Sequence, residues 1–211
     1  SAKVTARQRI ENLLDDNSFV EIGAYVKARN TDFNIQAKDT PSDGVITGYG
    51  VINGGLVYVY SQDASVLGGS VGEMHAKKIA SLYDMAMKTG SPVIGLIDST
   101  GLRLQESVDG LNAFGQIYMK QSLASGVIPT ITAIFGNCGG GLSIVAGLSD
   151  FTFMEVENAQ LFVNSPNAIT ENRKEICDNA SAKFQSEEAG NVDFVGTEAE
   201  VIEGIRNLVS V

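Results

Sequence analysis

The sequence predicts an α/β fold, in which strands alternate with helices. Three observations carry this. The short, continuously apolar runs "PVIGLID" and "PTITAIF" read as strands buried on both faces. Segments with apolar residues at helical spacing precede and separate them. The 23 glycines cluster after the apolar runs rather than spreading as a linker, as expected where backbone must come close to a ligand or to other backbone.

Residues 5–15 form the first predicted helix, with Ile10, Leu13 and Leu14 on one face. "DGVITGYGVINGGLVYVYSQD" reads as a β-hairpin that turns at Asn53-Gly54-Gly55, because Asn and Gly tolerate positive φ. "SVLGGSVG" is a glycine-rich loop. It leads into an amphipathic helix over 73–89, with Ile79, Leu82, Tyr83 and Ala86 inward. "PVIGLID" follows as a strand and "STGLRLQES" as the loop after it. The pattern then repeats: a helix over 109–125, the strand "PTITAIF", and a glycine triplet, Gly139 to Gly141, opening a further helix. "DFTFME" and "AQLFVN" are further short strands. A helix from Thr197 to Val209 turns Val201, Ile202, Ile205 and Leu208 inward. No linker or low-complexity segment interrupts the chain, so residues 1–211 read as one domain.

Composition narrows the function. The formal net charge of −10 disfavours nucleic acid and anionic membranes as partners. No apolar run approaches the ~20 residues that span a bilayer, and the amphipathic start "SAKVTARQRIENLL" is unlike a signal sequence. Cys138 and Cys177 make no disulfide framework, so a reducing cytoplasm is the expected compartment. The single histidine, His75, excludes chemistry built on paired histidines. No Cys, His, Asp or Glu cluster has metal-ligand spacing, so no metal is expected.

Two loops, "DSTGLRLQES" and "GNCGGGLS", follow the two buried strands. Each puts glycine-bearing backbone near the start of a helix, where N–H groups are free and the helix dipole adds positive potential. Two converging sets of such donors make an oxyanion hole, each donor worth ~3 kcal/mol when aimed at a developing negative charge. The competing reading is that the glycines only permit tight packing of helix on strand. A phosphate-binding P-loop fails, because Leu142 and Ser143 follow the triplet where Lys-Ser or Lys-Thr is needed. A dinucleotide fingerprint fails on glycine spacing.

Four stretches carry a resemblance: "ARQRIENLLDDNSFVEIG", "DGVITGYGVINGGLVYVYSQDASVLGGSVGEMHAKKI", "GSPVIGLIDSTGLRLQES" and "SGVIPTITAIFGNCGGGLSIVAGLSDFTFM". In this order they resemble the amino-terminal domain of biotin-dependent acyl-CoA carboxyltransferases, the β subunits of propionyl-CoA carboxylase, transcarboxylase and sodium-pump decarboxylases. The resemblance runs to about residue 170. It implies a crotonase-like fold built from ββα units, and backbone amides that polarise a thioester carbonyl or the ureido oxygen of carboxybiotin. Carried onto this chain, the donors are Gly101 or Leu102 and Gly140 or Gly141, with Gly68, Gly69, Thr100 and Gly139 as cofactor-binding positions. It further implies an acyl-CoA substrate, biotin on a separate carrier protein, and a homo- or hetero-oligomer whose second carboxyltransferase domain lies on another chain.

The sequence also departs from the pattern. The first loop reads Asp98-Ser99-Thr100-Gly101-Leu102-Arg103 where the family has Asp-Ser-Gly-Gly-Ala-Arg, so Thr100 and Leu102 are expected to narrow the pocket. The second reads Asn137-Cys138-Gly139-Gly140-Gly141 where Pro-Cys-Ala-Gly-Gly is usual. "ENRKEICDNASAKFQSEEAGNVDFVG" lacks the usual Gly-Gly-Ala and His stretch.

Single residues refine the reading. Ala86-Met87-Lys88 is similar to a biotin attachment sequence, but its place near a helix end makes Lys88 an ordinary C-terminal cation. His75, beside Lys77 and Lys78, is expected on a solvated helix face, with a contact to CoA phosphates as the functional reading. Cys138 is expected to be a small buried filler. Arg103 is expected either in a buried pair with a carboxylate or in the site itself, beside Gln105 and Glu106. Hydratases and isomerases of the crotonase type need glutamates where this chain has Ser143 and Asn167, neither of which shuttles protons at neutral pH. Carboxyl transfer needs no such group, because decarboxylation of carboxybiotin can generate the base. The leading expectation is therefore a carboxyltransferase subunit with an acyl-CoA half-site. A non-catalytic crotonase-fold assembly subunit and a crotonase-type hydrolase or isomerase are the alternatives.

Overall fold

The structure is a computed structural model that describes residues 4–28, 41–164 and 178–211. Helix α1 (Ala6–Leu13) starts at a capping box in which Thr5 and Gln8 satisfy each other's amides. A short edge strand β1 (Val20–Ile22) pairs with β2 (Val45–Ile52), which forms a hairpin with β3 (Gly55–Gln62). At the turn Asn53 has φ 49° and Gly54 φ 82°, the doubly left-handed geometry that matches strand twist in a two-residue hairpin. The chain then continues as α2 (Glu73–Thr89), β4 (Val93–Ser99), α3 (Ser107–Ala124), β5 (Thr130–Gly139), α4 (Leu142–Gly147), β6 (Phe151–Glu155), β7 (Gln160–Phe162), α5 (Ala182–Glu187), β8 (Phe194–Gly196) and α6 (Glu198–Val209).

The sheet has the order β1-β2-β3-β4-β5-β6-β8, with β7 paired to the end of β5. It is antiparallel through the hairpin and parallel from β3 onward. Successive side chains of β4 explain its unbroken apolar run. Val93 and Ile97 join a core under α2, α3 and α4, while Ile94 and Leu96 join a second core under α1 and α6. The α/β class, the hairpin and the buried faces of α1, α2 and α6 follow the sequence reading.

Strand β5 and three short elements differ from it. Strand β5 runs on to Gly139, because β7 pairs with Asn137 to Gly139 and satisfies their backbone groups; only Gly140 and Gly141 are left to turn into α4. The short elements β1, α5 and β8 carry too few residues for a period to register. Cys177 and Asn167 lie outside the described residues.

Helix α6 opens with a second capping box, in which the Thr197 hydroxyl accepts from the Glu200 amide (3.2 Å) and the Glu200 carboxylate accepts from the Thr197 amide (2.8 Å). Thr197→Ala is expected to lower stability by about 1 kcal/mol. A chemical denaturation curve with unchanged midpoint would contradict that role.

Candidate active site

Beyond a register shift after Ile97, Ser99 of β4 pairs with Cys138 of β5, so the loops that follow the two strands leave the sheet side by side. They approach closely: a Cβ on Gly101 would lie 3.0 Å from the Gly139 carbonyl oxygen, and Gly101 has φ 103°. Only glycine meets both conditions.

The first loop is pinned by a one-residue parallel bridge. The Val71 amide donates to the Gly101 carbonyl (2.7 Å) and the Arg103 amide donates to the Val71 carbonyl (2.9 Å). This leaves the N–H of Leu102 directed away from Val71, and it has no partner among the described residues. The Gly101 N–H is engaged, donating to Ser99 Oγ at 3.1 Å. The Leu102 side chain turns onto α3, where a Cβ on Gly110 would meet its Cδ1 at 2.7 Å.

In the second loop, Gly140 takes φ 59° and its N–H donates to the Phe162 carbonyl at 3.1 Å. Gly141 has no partner for its N–H among the described residues. Its carbonyl accepts from the Tyr118 hydroxyl at 2.8 Å. A Cβ on Gly141 would sit 2.7 Å from Tyr118 Oη and 3.2 Å from the Phe114 ring. Thus, of the four donors predicted from the sequence, Leu102 and Gly141, one in each loop, are the two whose amides have no partner among the described residues.

The other positions singled out in the sequence collect at the same end of the sheet. Gly68 and Gly69 each have φ 68°. The Thr100 amide donates to the Gly68 carbonyl (3.1 Å), and a Cβ on Gly68 would lie 3.2 Å from Thr100 Oγ1. Cys138 is buried between the loops, and burial pushes its thiol up to about 12, so it stays protonated and unreactive.

His75 corrects the sequence reading. It is fully buried, not on a solvated face. The turn Pro41–Gly44 folds over the start of α2, so His75 Nδ1 lies 2.9 Å from the Asp43 carbonyl and Nε2 lies 3.3 Å from Gln62 Nε2. Lys78 is buried as well, its ammonium donating to the carbonyls of Ser42 and Val45. Of the two places expected for Arg103, the structure shows the buried pairing, with Asp43 and Glu106 both in contact. Sequence reasoning missed Tyr118 and Phe162, because nothing in a helical tyrosine or a strand phenylalanine signals a contact to a distant glycine loop.

The profile described as "Carboxyl transferase domain" matches residues 1–211. The chain belongs to the carboxyl transferase domain family. It is 43% identical over its whole length to the methylmalonyl-CoA decarboxylase subunit alpha of Propionigenium modestum, of which it covers 41%. The crystal structure of transcarboxylase 12S, a hexamer with methylmalonyl-coenzyme A and methylmalonic acid bound, superposes with a TM-score of 0.91 at 37% identity, over 98% of this chain and 41% of that one. A chain of the Pseudomonas malonate decarboxylase hetero-tetramer, in complex with malonate, matches with a TM-score of 0.86 at 25% identity, over 98% of this chain and 82% of that one. The fold is therefore the crotonase-like one of carboxyltransferase subunits. This member of the family spans less than half the length of the curated relatives it matches.

Proposed function

We propose that this chain supplies the acyl-CoA half of a carboxyl-transfer site, in which the amides of Leu102 and Gly141 hold the thioester carbonyl. The observation that carries this reading is a pair of N–H groups without a partner among the described residues, on two loops that meet at Gly101 and Gly139. Donors fixed by the fold need no reorganisation as an enolate oxygen gains charge, which is where such groups act most strongly. Within each pair of sequence-predicted donors, internal hydrogen bonds to Ser99 and Phe162 favour Leu102 over Gly101 and Gly141 over Gly140. Gly68, Gly69, Thr100 and Gly139 shape the adjoining backbone, where the CoA moiety would pass.

A biotin carrier, when docked, would supply the carboxyl group and the base. The residues present fit that division of labour. Cys138 is held protonated, and the Ser143 hydroxyl is committed to the Gly140 carbonyl at 2.7 Å. This disfavours hydratase, isomerase and hydrolase chemistry, which needs a proton-shuttling group on the protein.

A second carboxyltransferase domain would complete the site. Leu104, Val108, Leu111, Met119 and Leu123 are exposed in a stripe at helical spacing along and just before α3, with Ile144 of α4 and Leu148, which caps its end, also exposed. An apolar face beside the loops suits a docked domain. Transfer of labelled carboxyl from a carboxylated biotin carrier to an acyl-CoA, by the chain assembled with its partner, tests the function. CoA binding without turnover in every such assembly would instead favour a non-catalytic assembly role.

No group of His, Cys, Asp and Glu able to hold a metal occurs among the described residues. Calorimetric titration of the assembly with acyl-CoA is expected to give the same isotherm with and without a chelator. Loss of binding on chelation would contradict that.

A further inference from the structure

We propose that Arg103 is a positioning residue for the Leu102 amide, locking the first loop through a buried charge cluster. The inference rests on the oxyanion role given to that amide. The observations start with the backbone. Arg103 immediately follows Leu102, and its own N–H bonds Val71 in the bridge that turns the Leu102 amide outward. The side chain then returns to the same strand segment, its Nη2 donating to the Ser70 carbonyl (2.9 Å). One residue thus holds Ser70 and Val71 by main chain and side chain together, and the Val71 amide in turn holds the Gly101 carbonyl, which shares a peptide plane with the Leu102 N–H.

The guanidinium is fully buried, and Arg103 is the largest fully buried side chain among the described residues. Its Nη1 donates to Asp43 Oδ1 (2.6 Å) and Glu106 Oε1 (2.8 Å). Each carboxylate spends its second oxygen on the start of α2: Asp43 Oδ2 accepts from the His75 amide (2.8 Å), and Glu106 Oε2 accepts from the Glu73 amide (2.5 Å). The cluster therefore clamps the Pro41–Gly44 turn, the α2 N-terminus and the entry to α3 around the loop. Gly72 makes room for it, since a Cβ there would lie 2.5 Å from Arg103 Nη1 and 2.5 Å from Glu106 Oε1. A planar fork can serve these acceptors from fixed directions, whereas an ammonium acts as a point charge on a shorter set of bonds.

Arg103→Lys keeps the charge and removes the fork. Because misplacement of a catalytic group by about 1 Å costs around a hundredfold, the expected result is kcat lowered ten- to a hundredfold with KM within about twofold. In unliganded protein, the Leu102 amide resonance should shift while that of Gly141 stays in place. A triple variant, Arg103→Met with Asp43→Asn and Glu106→Gln, removes the charges together, a change that buried ion clusters often tolerate in folding. It should be folded and slow. Wild-type kcat in either folded variant overturns the proposal, as does a kcat that falls only in proportion to the folded fraction. An unmoved Leu102 resonance also overturns it. If wild-type assembly transfers no carboxyl yet Arg103→Lys moves the Leu102 resonance, the oxyanion reading fails and the mechanical link stands.

Discussion

Gly141→Ala is expected to slow carboxyl transfer about a hundredfold while leaving the chain folded. The added Cβ would fall 2.7 Å from Tyr118 Oη and 3.2 Å from two atoms of the Phe114 ring. Tyr118 cannot simply swing away, because its hydroxyl holds the Gly141 carbonyl. Either that hydrogen bond breaks or the loop moves outward, and both displace the Gly141 N–H. Losing one aligned donor costs ~3 kcal/mol of transition-state stabilisation, which is the hundredfold. The loss should fall on kcat more than KM, since the donor bonds the enolate better than the ground-state carbonyl. Gly147→Ala in α4 is the control: a Cβ there meets nothing within 4 Å, so turnover should be unchanged. If Gly141 matters only for packing, activity will track the folded fraction measured by melting.

Acidification is expected to destabilise the protein through His75. Burial, then the nearby Arg103 charge, pushes its imidazole from the usual 6.5 down to about 3, so it is neutral in the folded chain at pH 7. The Asp43 carbonyl beside Nδ1 assigns the proton to that nitrogen, leaving Nε2 to accept from the Gln62 amide group. The unfolded chain protonates this residue near pH 6.5. Between about 6.5 and 3 the unfolded state therefore holds more protons, and stability must fall as pH falls through that window. The contribution is fully present above 6.5, and by pH 5 roughly 2 kcal/mol should be gone. Because the chain has one histidine, its imidazole resonances are unambiguous. They should not titrate between pH 8 and 5, while the melting temperature drops from pH 7 to 5. A titration midpoint near 6.5 would contradict the burial of this ring.

The sequence revealed what local pattern encodes and hid what depends on distant pairing. Helix α2 was legible to the residue, because Gly90, with φ 68°, ends it where the apolar period stops. The hairpin was legible because Asn53-Gly54 is a turn signal with a geometric cause. His75 was misread because its neighbours Lys77 and Lys78 imply a wet face. What buries it is a turn more than thirty positions earlier, whose Asp43 also meets Arg103. The choice between Gly140 and Gly141 rests on β7, since only the Phe162 carbonyl distinguishes their amides. Nothing in the triplet itself encodes that contact.

If the Leu102 and Gly141 amides polarise a thioester carbonyl, the carbonyl stretch of acyl-CoA, isotopically labelled at that carbon and bound to the assembled complex, reports it. Two hydrogen bonds from a fixed pair of donors should lower the frequency relative to the free thioester, and Gly141→Ala should return it most of the way while binding persists. Saturated binding with the carbonyl band at its solution frequency would mean that these amides do not hold the thioester oxygen.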